Sequence, residues 1–259
     1  SIYTSIVNGI SYQLEYKLKA EALMLIATIS NNSTDIFAPK SVSLRIGINN
    51  YQDSFPRWRN ILFPTLLRAE KTHFWGYFMS PSGKILTITS PNPIAGWTIG
   101  YERFEKFPHY AGSHRIKTSY LNLLHAQSLT ERLPKNRKQL AVGEQLIDTI
   151  YFSPIESLTT LNTTVSSQTK APYISFDRYT VFPGETTTAI IISPSPITKV
   201  TIKQEGTDSL SELAFKKLSA QTYQIQWIAP SVQNRFNVQV YNLQNKQSEA
   251  VLNVRANWS

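Results

Sequence analysis

Residues 10–18 read Ile-Ser-Tyr-Gln-Leu-Glu-Tyr-Lys-Leu, so that Ile10, Tyr12, Leu14, Tyr16 and Leu18 alternate with Ser11, Gln13, Glu15 and Lys17. Successive side chains of a β-strand point to opposite faces, and this alternation is that of a half-buried strand. The same period continues outward. Leu23 to Ile29 forms a more apolar run, and Val42, Leu44, Ile46 and Ile48 alternate again. Phe74 to Met79 leads through Ser80-Pro81-Ser82-Gly83-Lys84 into Ile85 to Ile88, two β-prone runs joined by turn-forming residues. Trp97 to Tyr101 and Gln145 to Phe152 bring the first part of the chain to seven strands at least. A helical period fits only Ser119 to Leu133.

Ser157 to Lys170 holds eight Ser or Thr residues and few large apolar ones, the composition of a linker or an extended surface connection. Beyond it, strands are expected at Tyr173 to Phe176, Thr187 to Ile192, Lys199 to Lys203, Tyr223 to Ile228, Phe236 to Tyr241 and Ala250 to Val254. Pro183-Gly184, Pro194, Pro196 and Pro230 punctuate them. This span has the length of one immunoglobulin-like sandwich, and Trp227, alternating with Gln224 and Gln226 beside Tyr223 and Ile225, is expected in its core. The reading is all-β: a large antiparallel β-sandwich over 1–156, a linker over 157–170 and an immunoglobulin-like β-sandwich over 171–259. The chain stops at Asn257-Trp258-Ser259, just past a strand, which suggests an interrupted protein.

At 259 residues, with 41% hydrophobic and 12% aromatic side chains, there is material for two real cores. The net charge is +9, but 17 basic residues face 11 acidic ones up to position 160 and 9 face 6 beyond it. The excess is spread, which places nucleic acid last among partners. The densest basic group, Arg132, Lys135, Arg137 and Lys138 around Pro134, reads as a solvated loop. With no cysteine, disulfide scaffolds, thiol nucleophiles and thiolate metal sites are excluded. No apolar run is long enough to span a membrane, and no signal peptide is present at Ser1, a start that suits a processed chain. Asn31-Asn32-Ser33-Thr34 and Asn162-Thr163-Thr164 match glycosylation sequons, a pattern frequent by chance.

No catalytic constellation assembles. GxSxG, Gly-rich phosphate loops, HExxH and EF-hand patterns are all missing. Glu102, Glu105, His109 and His114 could in principle ligate a cation, but their spacing fits no ordinary ligand set and they read as solvated charges. Glycoside hydrolysis needs two carboxylates facing each other across a sugar. Asp53, Glu70, Glu102, Glu105 and Asp148 are available, with nothing in their spacing to make a pair converge. A lyase would need a base beside a group that neutralises a uronate; His73, Tyr77, Arg68 and Arg115 are of the right types only. No cofactor and no metal are expected.

The most informative stretch runs from Tyr51 to Tyr77. Tyr51, Phe55, Trp58 and Phe63 interleave with Arg57, Arg59 and Arg68 in a segment broken by Pro56 and Pro64. Aromatic faces accept the C–H surfaces of pyranoses, and guanidinium forks pair with hydroxyls or uronate carboxylates. The same aromatics could instead cap a sandwich core. By strand parity Lys71, His73, Trp75 and Tyr77 share one face, and Phe74 and Phe78 belong to the core on the other. Arg57, Trp58, Arg59, Arg68, His73, Trp75 and Tyr77 are therefore the candidate substrate-binding residues.

Pro64-Thr65-Leu66-Leu67-Arg68, the run from Lys71 to Pro81, Pro93-Ile94-Ala95, His114-Arg115-Ile116 and Gly143-Glu144 together resemble the N-terminal region of large secreted carbohydrate-active enzymes of gut-type Bacteroidetes. In that family a super-sandwich and an immunoglobulin-like module precede an (α/α)6 barrel of the six-hairpin glycosidase kind, and polysaccharide lyases share the architecture. Residues 255–259 look like the start of that barrel. The resemblance implies a non-catalytic region that packs on a downstream catalytic domain and lines its glycan cleft. It implies a polysaccharide partner, an acidic one among the options, and secretion to the periplasm or cell surface of a Gram-negative bacterium. Catalytic residues do not carry over, because the barrel lies outside these positions. Two other readings stay open: a free-standing carbohydrate-binding protein, and a structural or adhesion module binding another protein.

Overall fold

The computed structural model describes residues 1–19, 21–48, 65–79, 83–103, 115–127 and 135–256. It divides into two compact units, Ser1–Ala69 with Phe74–Leu158, and Glu70–His73 with Thr159–Ser259. The fold is all-β, as the alternating sequence requires.

The first unit contains β1 (Ile2–Val7), β2 (Ile10–Lys19), β3 (Ala22–Asn31), β4 (Val42–Ile48), β5 (Thr65–Ala69), β6 (Phe74–Met79), β7 (Ile85–Ser90), β8 (Gly96–Arg103), β9 (Arg115–Leu124) and β10 (Gln145–Ile155). Seven of these form one sheet in the order β1-β2-β3-β10-β7-β6-β5, and three form another, β4-β9-β8. Every pairing is antiparallel. Leu25, Ala27 and Ile29 on β3, Leu146 and Ile150 on β10, and Phe74 and Phe78 on β6 pack with Leu44, Leu121 and Leu124 of the smaller sheet in one core. The parity assignment of Phe74 and Phe78 to the core is correct: both are buried.

Three sequence expectations need correction here. Ser119 to Leu124 is not helical but lies in β9. The register shifts between Val42 and Ser43, which pair with Leu124 and Asn122 and leave Leu123 unopposed. Such a bulge lets Leu123 and Leu124 both be buried, and two adjacent apolar positions imitate a helical spacing. Asn31 is no glycan acceptor. Its side chain is fully buried, with Nδ2 donating to the carbonyls of Asp35, Leu140 and Ala141 and Oδ1 accepting from Ser33 N and Oγ. Arg137, assigned to a solvated loop, is buried in a 3-10 turn, Lys135–Arg137. Its Nη1 and Nη2 lie 2.5 and 2.6 Å from the two carboxylate oxygens of Asp148.

At the passage into the second unit a 3-10 turn, Leu158–Thr160, runs into α1 (Leu161–Thr169), where an extended linker was expected. Leu161 and Val165, four apart, are both buried on one helix face. The hydroxyls that made the segment look like a linker turn inward. Thr169 Oγ1 donates to Val165 O (2.7 Å), and Ser166 Oγ to Ala171 O and Ile192 O (2.9 and 3.0 Å). The helix ends at Lys170 in the left-handed conformation, φ 62°.

After α1 come β11 (Tyr173–Phe176), β12 (Thr180–Val181), β13 (Thr186–Ile192), β14 (Ile197–Gln204), β15 (Leu210–Glu212), β16 (Phe215–Lys217), β17 (Thr222–Ile228), β18 (Asn234–Asn242) and β19 (Gln247–Val254). They form a four-stranded sheet, β11-β13-β17-β16, and a five-stranded one, β12-β19-β18-β14-β15. Only β12 and β19 pair in parallel. The core interleaves Ala189, Ile191 and Ile225 with Val200, Val238 and Leu252. Trp227 is buried as expected, its ring 5.0 Å from that of Phe236.

Two carboxylates hold the loops on either side of β12: Asp177 ties the β11–β12 loop to β13, and Glu185 closes the β12–β13 turn. Asp177 Oδ1 accepts from Thr187 Oγ1, Arg178 N and Thr188 N. Glu185 Oε2 accepts from Phe182 N and Arg178 Nη1. The Thr187 hydroxyl, then the Thr188 amide, hold the Asp177 carboxyl below its usual value near 3.8. A carboxyl depressed in the folded state contributes stability above its unfolded value and loses it as pH falls through the folded one. The advantage of the wild type over Asp177→Asn should therefore be full well above the ordinary Asp value near 3.8 and shrink as the pH is lowered below it. Urea midpoints of both proteins across that range provide the check; a gap unchanged in acid would contradict it.

Candidate carbohydrate-facing surface

The sequence pointed to a basic and aromatic face, and part of it is built by β5 and β6. Arg68 pairs with Trp75, Leu66 with Tyr77, and Leu67 with Gly76. Directly opposed residues of an antiparallel pair share a face, so Arg68, Trp75 and Tyr77 do come together, on the side away from Phe74 and Phe78. On the next strand Thr89 and Thr87 continue the rows of Trp75 and Tyr77. Thr87 Oγ1 donates to Ser153 O at 2.9 Å.

The Arg68 guanidinium carbon lies 5.6 Å from the centre of the Trp75 ring, a cation–π arrangement. Trp75 is only 6% exposed. Its ring thus stacks with a neighbour in the fold and is not an open sugar platform. Arg68 and Tyr77 are half-buried, and Leu66 is exposed. His73 does not extend the face by strand parity, because β6 begins at Phe74. It belongs to the second unit and is fully buried, with Nδ1 3.3 Å from Thr72 Oγ1. Within that unit Thr72 Oγ1 donates to Gln247 O (3.1 Å) and accepts from Gln247 N (3.0 Å). Arg57, Trp58 and Arg59 lie outside the described residues, as do Asp53, Glu105, His109 and His114 and the side chains of Glu102 and Arg115.

Two of the carboxylates considered for acid–base work have other partners. Asp148 points inward from β10 between Leu146 and Ile150 and is gripped by Arg137. Glu70 is buried, with Oε2 accepting from Glu249 N at 3.3 Å. Among the described residues no group of three or more His, Asp or Glu could hold a metal, and no helix is long and apolar enough to cross a membrane.

One surface escaped the sequence reading. The outward positions of the five-stranded sheet are Lys199, Thr201 and Lys203 on β14, Gln239 and Tyr241 on β18, and Gln247 and Glu249 on β19. They line up in cross-strand rows, Thr201-Gln239-Glu249 and Lys199-Tyr241-Gln247. The signal was strand parity again: the positions between the buried valines all carry long or hydrogen-bonding side chains.

In comparison with solved structures, 98% of this chain superposes on 35% of a polysaccharide lyase chain at a TM-score of 0.67 and 14% identity. The chain spans about a third of that protein's length, and the likeness is one of fold. A chain from a structure of T cell activation by the superantigen toxic shock syndrome toxin-1 matches at TM-score 0.24 and 9% identity, over 32% of this chain and 98% of its own. A DUF4785 family protein from Legionella pneumophila matches at 0.26 and 9%, over 93% and 68%. Neither value supports a shared fold. No protein-family model matches the chain, and no curated protein does. The class that these observations define is one of fold: an all-β chain of two compact units whose course matches that of a region of a polysaccharide lyase chain.

Proposed function

We propose that the chain is the non-catalytic N-terminal region of a secreted polysaccharide-degrading enzyme, a glycoside hydrolase or a lyase. It packs on a downstream catalytic barrel and helps wall the glycan cleft, with the first sandwich and an immunoglobulin-like second one as separate modules. The observation that carries this reading is the superposition of nearly the whole chain on a third of a polysaccharide lyase. The engagement of Asp148 by Arg137 supports it, since that removes a carboxylate from acid–base duty. Sugar contact in the first module falls to Arg57, Trp58, Arg59, Arg68 and Tyr77, with Trp75 as the support on which the Arg68 guanidinium stacks; His73, the remaining candidate, is buried in the second unit. Their aromatic and guanidinium chemistry suits a uronate-bearing polysaccharide, and secretion to the periplasm or cell surface follows from such a substrate.

The test compares this chain with the product of the complete reading frame from its genome. Reducing-end release and the ultraviolet absorbance of unsaturated uronate are measured on acidic and neutral polysaccharides. The chain alone should release nothing, while the longer protein should cleave one of them. Turnover by the isolated chain, or a reading frame with no further domain, would overturn the proposal.

A further inference from the structure

The outward face of the five-stranded sheet carries a groove of about 510 Å³, lined among others by Lys199, Thr201, Leu210, Tyr241, Asn245 and Gln247. That volume lies within the usual range of small-molecule sites. Thr201 is 1% exposed, and its Oγ1 has no hydrogen-bond partner among the described residues. On the same face, Asn237 Oδ1 is buried and equally unpartnered. A buried hydroxyl left without a partner is unfavourable, and native folds satisfy nearly all such groups. Thr201 faces a groove, so a ligand hydroxyl is the natural partner.

The surrounding polar atoms are already fixed. Tyr241 Oη donates to Gln239 Oε1 (2.6 Å), and Gln239 Nε2 and Gln247 Nε2 both donate to Glu249 Oε1 (3.0 and 2.9 Å). Burial, reinforced by the Glu249 charge, holds the Tyr241 phenol above its ordinary value, so it remains a neutral donor. The Tyr241, Gln239, Gln247 and Glu249 side chains thus form a preorganised wall beside the buried, unpartnered Thr201 hydroxyl, a geometry that favours binding because little must be ordered.

Charge narrows the ligand. Lys199 is the one cation among the described lining residues, and its Nζ lies 2.8 Å from Glu212. Lys203 beside it pairs with Asp208 at 3.4 Å. An anionic group would find no unopposed positive charge, while Leu210, 53% exposed, offers apolar surface at the rim. Hydroxyls on one edge and C–H surface on the other describe a neutral pyranose. We infer that this groove binds a neutral pyranose unit of a glycan, with Thr201 Oγ1 as the specific contact and Leu210 and Tyr241 as the apolar rim. The ligand class rests on the carbohydrate reading above; the groove itself lies in the second unit and makes no use of Arg68 or its neighbours.

Saturation-transfer NMR and calorimetry on the full chain would test it, with cello-, manno-, xylo- and galactotetraose and with oligogalacturonate as the acidic comparator. At least one neutral tetrasaccharide should bind through the groove, whereas any oligogalacturonate binding, which Arg68 and its neighbours in the first unit can supply, should not respond to changes in the groove. Thr201→Val should weaken that binding about tenfold, in line with the loss of one hydrogen bond, while its melting temperature stays level or rises because an unmatched hydroxyl is gone. Leu210→Asp, at an exposed position, should weaken it too and guards against a folding defect in the first variant. The inference is overturned if no neutral tetrasaccharide binds, if both variants bind as the wild type does, or if the variants weaken oligogalacturonate binding instead. None of these outcomes depends on whether the longer protein cleaves a polysaccharide.

Discussion

Exchanging Arg137 for Met should destabilise the first unit by about 3–5 kcal/mol, the usual consequence of stranding one member of a buried ion pair. Both side chains are nearly inaccessible, at 4% and 1% exposure, and the pairing is two-pronged, each guanidinium nitrogen meeting its own carboxylate oxygen. Asp148 sits on the core face of β10, in the middle of the seven-stranded sheet. Without the guanidinium it would keep one weak contact, a 3.4 Å hydrogen bond from Asn92 Nδ2. The carboxylate must then take up a proton or draw water into the core. Arg137 Nη1 also reaches Leu123 O at 3.4 Å, so it links β10 to β9 of the smaller sheet.

Attraction between the two charges is not the whole account, because bringing both out of water is itself unfavourable. The double variant Arg137→Met with Asp148→Leu should therefore recover most of the loss and could exceed the wild type. Chemical denaturation followed by hydrogen exchange at β3, β9 and β10 measures this. A single variant within about 1 kcal/mol of wild type would put the pair in the class of weak surface contacts and contradict the burial argument.

The sequence carried six of the nine strands of the second unit, whose inward positions are mostly apolar, but not β12, β15 and β16, which at two or three residues are too short to show an alternation. Tyr223, Ile225 and Trp227 on β17 are buried in alternation, as written. The first unit was harder where a local signal was overlooked or misleading. β1 escaped although Asn8-Gly9 stands between it and β2. Both residues take positive φ (48° and 77°), the signature of a two-residue hairpin turn. β9 was blurred by its bulge, and α1 by hydroxyls that satisfy backbone carbonyls instead of facing water.

The candidate site divides in the same way. Parity placed Trp75 and Tyr77 on one face but wrongly carried Lys71 and His73 with them, since β6 begins at Phe74, and Arg68 joins that face only through the β5–β6 register. It could not reveal that the Trp75 ring is stacked by Arg68, since that depends on rotamers and on what covers the sheet. Nor could any local pattern join Arg137 to Asp148, eleven residues apart in different elements. An Asp at an inward position of a strand was the one available hint, because a buried carboxylate demands a cationic partner.

Replacing Gly76 by Ala should separate β5 from the sheet and lower stability by about 3 kcal/mol, at the upper end of overpacking effects. Two opposing contributions are at work. Alanine in place of glycine narrows the unfolded ensemble and favours folding by about 0.4–1 kcal/mol where the backbone permits it. Here a Cβ would lie 2.5 Å from Leu66 O and 2.5 Å from Leu67 Cδ2, with Leu67 Cα at 3.1 Å. Leu67 can change rotamer, but Leu66 O belongs to the backbone of β5 and can yield only if the strand moves. Steric repulsion therefore wins, and Gly76 is there because a neighbouring backbone approaches too closely for any side chain. Displacing β5 also parts Arg68 from Trp75, its cross-strand partner, so Trp75 fluorescence should change together with amide exchange along 65–69. Gly143→Ala is the control. A methyl there meets nothing within 4 Å, and only the left-handed φ of 77° opposes it, an effect of about 1–2 kcal/mol. If Gly76→Ala were the milder of the two, the close approach of β5 to β6 would be wrong, and with it the register that brings the basic and aromatic residues onto one face.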